Sequence, residues 1–303
     1  MVIRLVGVAA GRGASTPGAE GGPRALRRAG LVERLASAGH VVEDLGDIPG
    51  VYETRFADGP ARRLIHHLPH VMQVNRHLHA CVLGARRKHA ADFLLVIGGD
   101  HSMAIGALAG LSDSCGRLGL LWFDAHGDFN TPESSPSGSA HGMSLAVCCG
   151  RGPDVLRRIA DRDPMVREED VFLYGCRELD PPEAKLLAGS RIHMLSAEAW
   201  RARGVTSAAL GAARDLAARC DHIHLSFDID VMDAALVPGT GTPSRGGLTR
   251  AEGLSLLTEL GRTGLVGSAE FVEYNPKLDG DGCTGALTLE LIAALLGTPQ
   301  GAA

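Results

Sequence analysis

The chain has 303 residues, 45% of them hydrophobic but only 4% aromatic, and a formal net charge of -5. That length suits one large α/β domain, expected here over residues 1–303, with a core that must be mainly aliphatic. The charge gives no electrostatic case for nucleic acid or an anionic membrane, and no apolar run is long enough to span a bilayer.

In chain order, "MVIRLVGVAAGRG" lacks the length and cleavage pattern of a secretory signal and reads as a first strand over 2–9. The glycine-rich stretch 11–23 follows. Gly11 and Gly13 open a dinucleotide-type fingerprint, but Thr16 takes the third glycine position and no Gly-Lys-Ser/Thr is present. It therefore reads as a rim loop rather than a phosphate cradle. Helix-like stretches are expected at 23–38, 61–90, 103–112, 181–188, 206–219, 249–262 and 283–296. Further strands are expected at 92–99, 118–124, 170–176, 191–195, 222–228 and 265–273, most of them apolar nearly throughout, as strands covered on both faces must be. Alternation of this kind predicts a mostly parallel sheet with helices on both sides. The basic clusters Arg27-Arg28 and Arg86-Arg87-Lys88 read as polar helix faces. Seven cysteines with no Cys-x-x-Cys pair suit idle thiols in a reducing compartment, so a cytoplasmic protein is expected.

In open α/β sheets, ligands bind beyond the carboxyl ends of the strands. Three expected strands end in acids or histidine: "LLVIGGD" leads to Asp100 and His101, "LLWFD" to Asp124, His126 and Asp128, and "HLSFD" to Asp228 and Asp230. One such aspartate is usually a cap or turn residue. Three such ends together point to a metal site. Fully extended, Asp124 and Asp128 would stand roughly 13 Å apart, whereas paired metals sit ~3.5–4 Å apart. The chain must therefore leave the strand near His126, and Gly127 would ease the bend. The same spacing sets His224 and His222 aside as hydrogen-bonded core histidines. The ligand candidates are then His101, Asp124, His126, Asp128, Asp228 and Asp230. With no thiolate among them, a structural zinc or iron–sulfur site is disfavoured, and carboxylate richness suits Mn²⁺ better than Zn²⁺. Four carboxylates balance two divalent cations, between which a water could ionise near neutral pH.

The blocks "GGDHSMAIG" (98–106), "FDAHGDFNTPESSPSGSAHG" (123–142), "SFDIDVMD" (226–233), "PGTGTP" (238–243) and "EFVEYNP" (270–276) resemble the arginase/agmatinase (ureohydrolase) family, and "EGGPRALRRAGLVERL" and "VVEDLGDIP" are similar to bacterial arginases. The likeness covers nearly the whole chain. It implies a three-layer α/β/α sandwich around an eight-stranded, mostly parallel sheet, two Mn²⁺ per chain, and a homotrimer or hexamer. It implies that His101 and Asp128 bind one ion, His126 and Asp230 the other, and that Asp124 and Asp228 bridge them. Asp128 would also hold the bridging hydroxide, Glu273 would grip a guanidinium, and His141 would give the leaving amine its proton. Asn130, Ser135 and Ser137 match residues that hold an α-carboxylate. Asp180, with Glu183 behind it, matches the group that meets an α-amino group, and Thr242 joins the substrate-binding set.

The chemistry is consistent with these roles. A guanidinium is a poor electrophile and needs a strong nucleophile, a carboxylate to orient it and an acid for its leaving group. The expected reaction is hydrolysis of L-arginine to L-ornithine and urea. The alternatives are N-hydroxy-L-arginine, agmatine or a guanidino acid as substrate, a zinc deacetylase-like amide hydrolase, or a metal-stabilised binding protein. Near the site, Val231 stands where the family usually has glycine after Asp-x-Asp, and Ala234 where proline is expected.

Overall fold

The computed structural model describes residues 1–48 and 65–297. Eight strands form one sheet: β1 Val2–Gly7, β2 Val41–Asp47, β3 Phe93–Ile97, β4 Leu118–Phe123, β5 Val171–Cys176, β6 His193–Ser196, β7 His222–Asp228 and β8 Ser268–Val272. Their order is β2-β1-β3-β8-β7-β4-β5-β6, and every neighbouring pair is parallel.

Successive side chains of a strand point to opposite faces. Leu95, Ile97, Phe123 and Phe227 accordingly enter one core, and Leu94, Val96 and Trp122 the other. The first core is closed by helices Gly22–Arg28, Leu31–Ser37, Ala197–Ala202, Val205–Ala217, Arg250–Thr263 and Cys283–Leu296. The second is closed by Leu68–Lys88, Ala104–Ser112, Ser144–Cys148, Asp154–Arg157 and Pro181–Ala188. The result is the expected three-layer sandwich. No described helix is long and apolar enough to cross a membrane.

Differences from the sequence reading have local causes. Strand β2 was not among the expected runs, because "VVEDLGD" is an edge strand whose side chains are mostly exposed. Its acids are tied inward by ion pairs, Arg4 to Glu43 and Arg27 to Asp44, and charged edges of this kind discourage further strand pairing. The stretch 23–38 forms two helices, since Gly30 between them takes a left-handed φ of 89° that most residues avoid. Of the stretch 61–90, residues 61–64 lie outside the described residues, and the helix runs over Leu68–Lys88. The short helices Ser144–Cys148, Asp154–Arg157 and Ala197–Ala202 carry too few turns to show a periodicity.

Candidate metal centre and substrate cavity

Four adjacent strands, β3-β8-β7-β4, aim their carboxyl ends at one place. Beyond β3, Asp100 caps a single 3₁₀ turn, His101–Met103, accepting from Ser102 N at 3.0 Å and from Gly13 N at 2.9 Å. Asp100 is thus a structural cap, and it presents His101. Beyond β7, Asp228 caps a second turn, Ile229–Val231, with Oδ1 accepting from Asp230 N at 2.8 Å. Beyond β4, Asp124 Oδ1 accepts from His126 N at 2.7 Å. In Asp124 and Asp228 one carboxylate oxygen bends the backbone and the other faces the centre, whereas both oxygens of Asp100 are taken by backbone N–H groups.

His101 Nδ1 stands 3.2 Å from Asp124 Oδ2, 3.0 Å from Asp128 Oδ2 and 3.1 Å from Asp228 Oδ2. His126 Nδ1 stands 3.0 Å from Asp230 Oδ2 and 3.5 Å from Asp124 Oδ1. Two possible cation sites result, His101–Asp124–Asp228 and Asp124–His126–Asp230, with Asp124 common to both. Asp228 falls only in the first group, with His101 and Asp124, and Asp128 in neither, although its Oδ2 stands 3.0 Å from His101 Nδ1. His101 Nδ1 is buried and makes no hydrogen bond of good geometry, although three oxygens surround it. An orphaned buried nitrogen amid buried carboxylates is what a cation's ligand shell leaves behind when the ion is taken away. The residues present therefore fit divalent cations.

The bend near His126 has a different origin from the one expected. Gly127 does not adopt a positive φ; Asp128 does, at 49°. Gly127 is needed for space, because a Cβ there would meet Glu183 Cδ and Leu179 Cδ2 at 2.8 Å. Glu273 is also left-handed, at 65°. Such conformations cost a non-glycine residue of order 1–3 kcal/mol and persist where surrounding contacts enforce them. Here Asp128 is held by Ser144 Oγ at 3.1 Å and by His101, and Glu273 by His101 N at 2.7 Å.

Without cations the cluster holds protons. Burial alone would lower His101, but Asp124, Asp128 and Asp228 more than offset this and hold it well above 6.5. Burial likewise opposes the rise of His126, which Asp230 and Asp124 impose. Burial, then the charges of Asp230 and Asp124, raises Asp228 well above the usual carboxylate range, and burial with Asp124 raises Asp128. His141 Nδ1 lies 3.0 Å from Glu273 Oε1. Burial works against charging this imidazole, yet Glu273 lifts it to about 9.

Above the cluster lies a cavity of about 310 Å³ whose wall includes His101, His126, Asp128, Asp228 and His141. Asn130, Ser135, Ser137, Asp180, Glu183 and Thr242 line it as well. Asn130 Nδ2 donates to Asp180 Oδ2 at 3.0 Å, and Thr242 Oγ1 to Asp230 Oδ2 at 3.0 Å. Asp180 is also the first residue before helix Pro181–Ala188, so its role as a helix start and its place on the cavity wall coincide. Glu183 is almost wholly buried, and burial pushes it up to about 7 against the bond from Phe129 N. Glu273 does not line the cavity; it sits behind His141, 2% exposed. The glycine-rich loop supports His141 from behind the wall, with Gly13 O accepting from His141 N at 3.1 Å.

Trp122 escaped the sequence reading. Its Nε1 donates to Asp124 Oδ2 at 3.0 Å, and its ring stacks on His101 with centroids 4.2 Å apart. A tryptophan inside an apolar run carries no signal of such a task. His224 and His222 are core histidines, as expected, both bonded to Ser268 Oγ.

The sequence profile of the Arginase family matches residues 2–297. Arginase from Bacillus caldovelox is 40% identical over 296 residues, 97% of this chain and 98% of that protein. The crystal structure of arginase from Bacillus subtilis superposes with a TM-score of 0.89 at 38% identity, covering 99% of this chain and 100% of that one. Entamoeba histolytica arginase in complex with L-ornithine superposes with a TM-score of 0.87 at 32% identity, covering 98% of each chain.

Proposed function

The chain belongs to the arginase family and is an arginase-type amidinohydrolase, and we propose that its substrate is L-arginine, cleaved to L-ornithine and urea. The observation that carries this reading is the pair of histidine–carboxylate clusters sharing Asp124 at the floor of a cavity bearing both His141 and an Asn130–Asp180 pair. His101, Asp128 and Asp228 would hold one Mn²⁺ and His126 and Asp230 a second, with Asp124 available to both. Two such ions, when bound, supply Lewis acidity and a water acidic enough to serve as nucleophile near neutral pH.

The protein's own groups do the rest. Glu273, behind His141, uses Oε1 for His101 N–H and His141, so its charge favours a guanidinium in the cavity and keeps His141 protonated. His141, protonated at neutral pH, gives its proton to the departing amine nitrogen. Asn130, Ser135 and Ser137 take the α-carboxylate, and Asp180 with Glu183 takes the α-amino group. Thr242 steadies Asp230 and closes the wall. A cytoplasmic location belongs to the same reading and is supported by seven cysteines that are all free. Assembly as a homotrimer or hexamer is also part of it, checked by sedimentation equilibrium.

The test is urea release after Mn²⁺ loading, compared across L-arginine, N-hydroxy-L-arginine, agmatine and guanidino acids. L-Arginine is expected to give the highest kcat/KM. Another guanidino compound ahead of it would move the substrate within the family, and amide hydrolysis with one Zn²⁺ per chain would overturn the reaction.

A further inference from the structure

The two histidines set aside in β7 begin a line of polar groups through the core. His222 Nε2 and His224 Nδ1 share Ser268 Oγ of β8, at 2.7 and 2.8 Å. His224 Nε2 faces Glu270 Oε2 at 3.6 Å. Glu270 Oε1 accepts from Ser226 Oγ at 2.7 Å, and Ser226 Oγ lies 2.8 Å from His101 Nε2. His224, Ser226, Ser268 and Glu270 are all 0% exposed. At the far end Arg86 Nη2 meets His222 Nδ1 at 3.5 Å, where a separate cavity opens near the amino ends of the strands.

The protons along this line can be placed one by one. An ionised carboxylate only accepts, so the Ser226 hydroxyl gives its single proton to Glu270. Its lone pair must then receive a proton from His101 Nε2, which leaves His101 Nδ1 as the nitrogen facing Asp124, Asp128 and Asp228. From the other end, Arg86 can only donate, so His222 Nδ1 accepts. Burial first, then Arg86 and His224, pushes His222 down to about 3, so it is neutral and carries its proton on Nε2. That proton goes to Ser268 Oγ, the Ser268 proton goes to His224 Nδ1, and His224 Nε2–H is turned toward Glu270. Both arms thus donate toward one buried carboxylate. Leaving such a charge in the core without a directly bonded cation is costly, so its retention calls for a use.

Resting on the reading of the cluster as a dinuclear metal centre, we propose that Glu270 is a positioning residue for that centre, acting through Ser226 to hold the His101 ring with Nε2 protonated and Nδ1 presented to the cation. Partners of this kind orient a ligating imidazole and raise its basicity, and their loss typically costs about 10–100-fold in metal affinity. Glutamine is nearly the same size as glutamate but has one oxygen and one NH₂. It can accept from Ser226 only by setting its NH₂ against His224 Nε2–H, and as a neutral amide it is a weaker acceptor than the carboxylate.

The experiment is equilibrium titration of metal-free protein with Mn²⁺, reading free ion by its electron paramagnetic resonance signal, for the wild type, Glu270→Gln, Ser226→Ala and the double variant. The wild type is expected to take two ions. Each single variant should hold one ion as before and bind the other about 10–100-fold more weakly. The double variant should be no worse than the poorer single, because both break the same link. Ser226→Ala removes only a hydroxyl and carries the test if Glu270→Gln does not fold. Unchanged binding of both ions in either folded variant, or losses that add or fall equally on both ions, would overturn the positioning role while leaving the metal centre intact. A wild type that takes fewer than two ions would overturn the reading of the centre and this inference with it.

Discussion

The His141–Glu273 pair offers a measurement independent of turnover. Replacing Glu273 by glutamine removes the charge that holds His141 at about 9 instead of 6.5. That difference corresponds to about 3–4 kcal/mol at most, at 1.36 kcal/mol per pH unit, trimmed by the 19% of the imidazole that stays exposed. The folded-state value is the raised one, so the pair's contribution to stability is complete below pH 6.5 and is lost as pH rises through about 9. In chelator-treated protein labelled on histidine, NMR titration with His141→Asn as the assignment control should place His141 near 9 in the wild type and toward 6.5 or below in Glu273→Gln. Urea unfolding across the same range should show a decline in the wild type that the variant lacks. A His141 that titrates near 6.5 in the wild type, or stays near 9 in the variant, would refute the reasoning.

Three further predictions concern the centre and the cavity. Asp228→Ala should lose Mn²⁺ stoichiometry by elemental analysis and the thermal stabilisation that added Mn²⁺ gives the wild type, since metal binding favours only the folded ligand set. Retention of both ions would remove Asp228 from the ligand set. Asn130→Ala should narrow the kcat/KM advantage of L-arginine over agmatine, because the lost contact concerns the α-carboxylate, which agmatine lacks; an unchanged ratio would place that recognition elsewhere. His141→Ala should keep both ions and bind L-ornithine while kcat falls by about 10²–10⁴-fold, and loss of an ion at unchanged fold would make His141 a ligand instead.

How much of this was legible depended on what each residue does to its neighbours in sequence. The ligand aspartates stood out because they break apolar runs at strand ends, where a charge has no ordinary packing role. Glu273 and His141 were reached only through a resemblance, since a glutamate after a strand and a histidine on a loop are commonplace. Ser226 and Glu270 lay inside strands, where one polar residue among apolar ones reveals nothing of what crosses from the next strand. The register that sets Ser226 opposite Glu270 is a property of the β7–β8 pairing. The left-handed conformation at Asp128 was hidden for a related reason. The adjacent glycine drew the expectation, while packing against Glu183 and the hold on the Asp128 carboxylate decided which residue turned.

The strand order has a consequence for how the chain is made. β8 is the last strand in sequence, yet it lies between β3 and β7. Until residue 268 is added, the strand pairings available to the chain divide into β2-β1-β3 and β7-β4-β5-β6, with no strand pairing between them. His101 belongs to one and the remaining ligand candidates to the other. The last strand made is therefore the one that joins the two halves of the candidate centre by strand pairing.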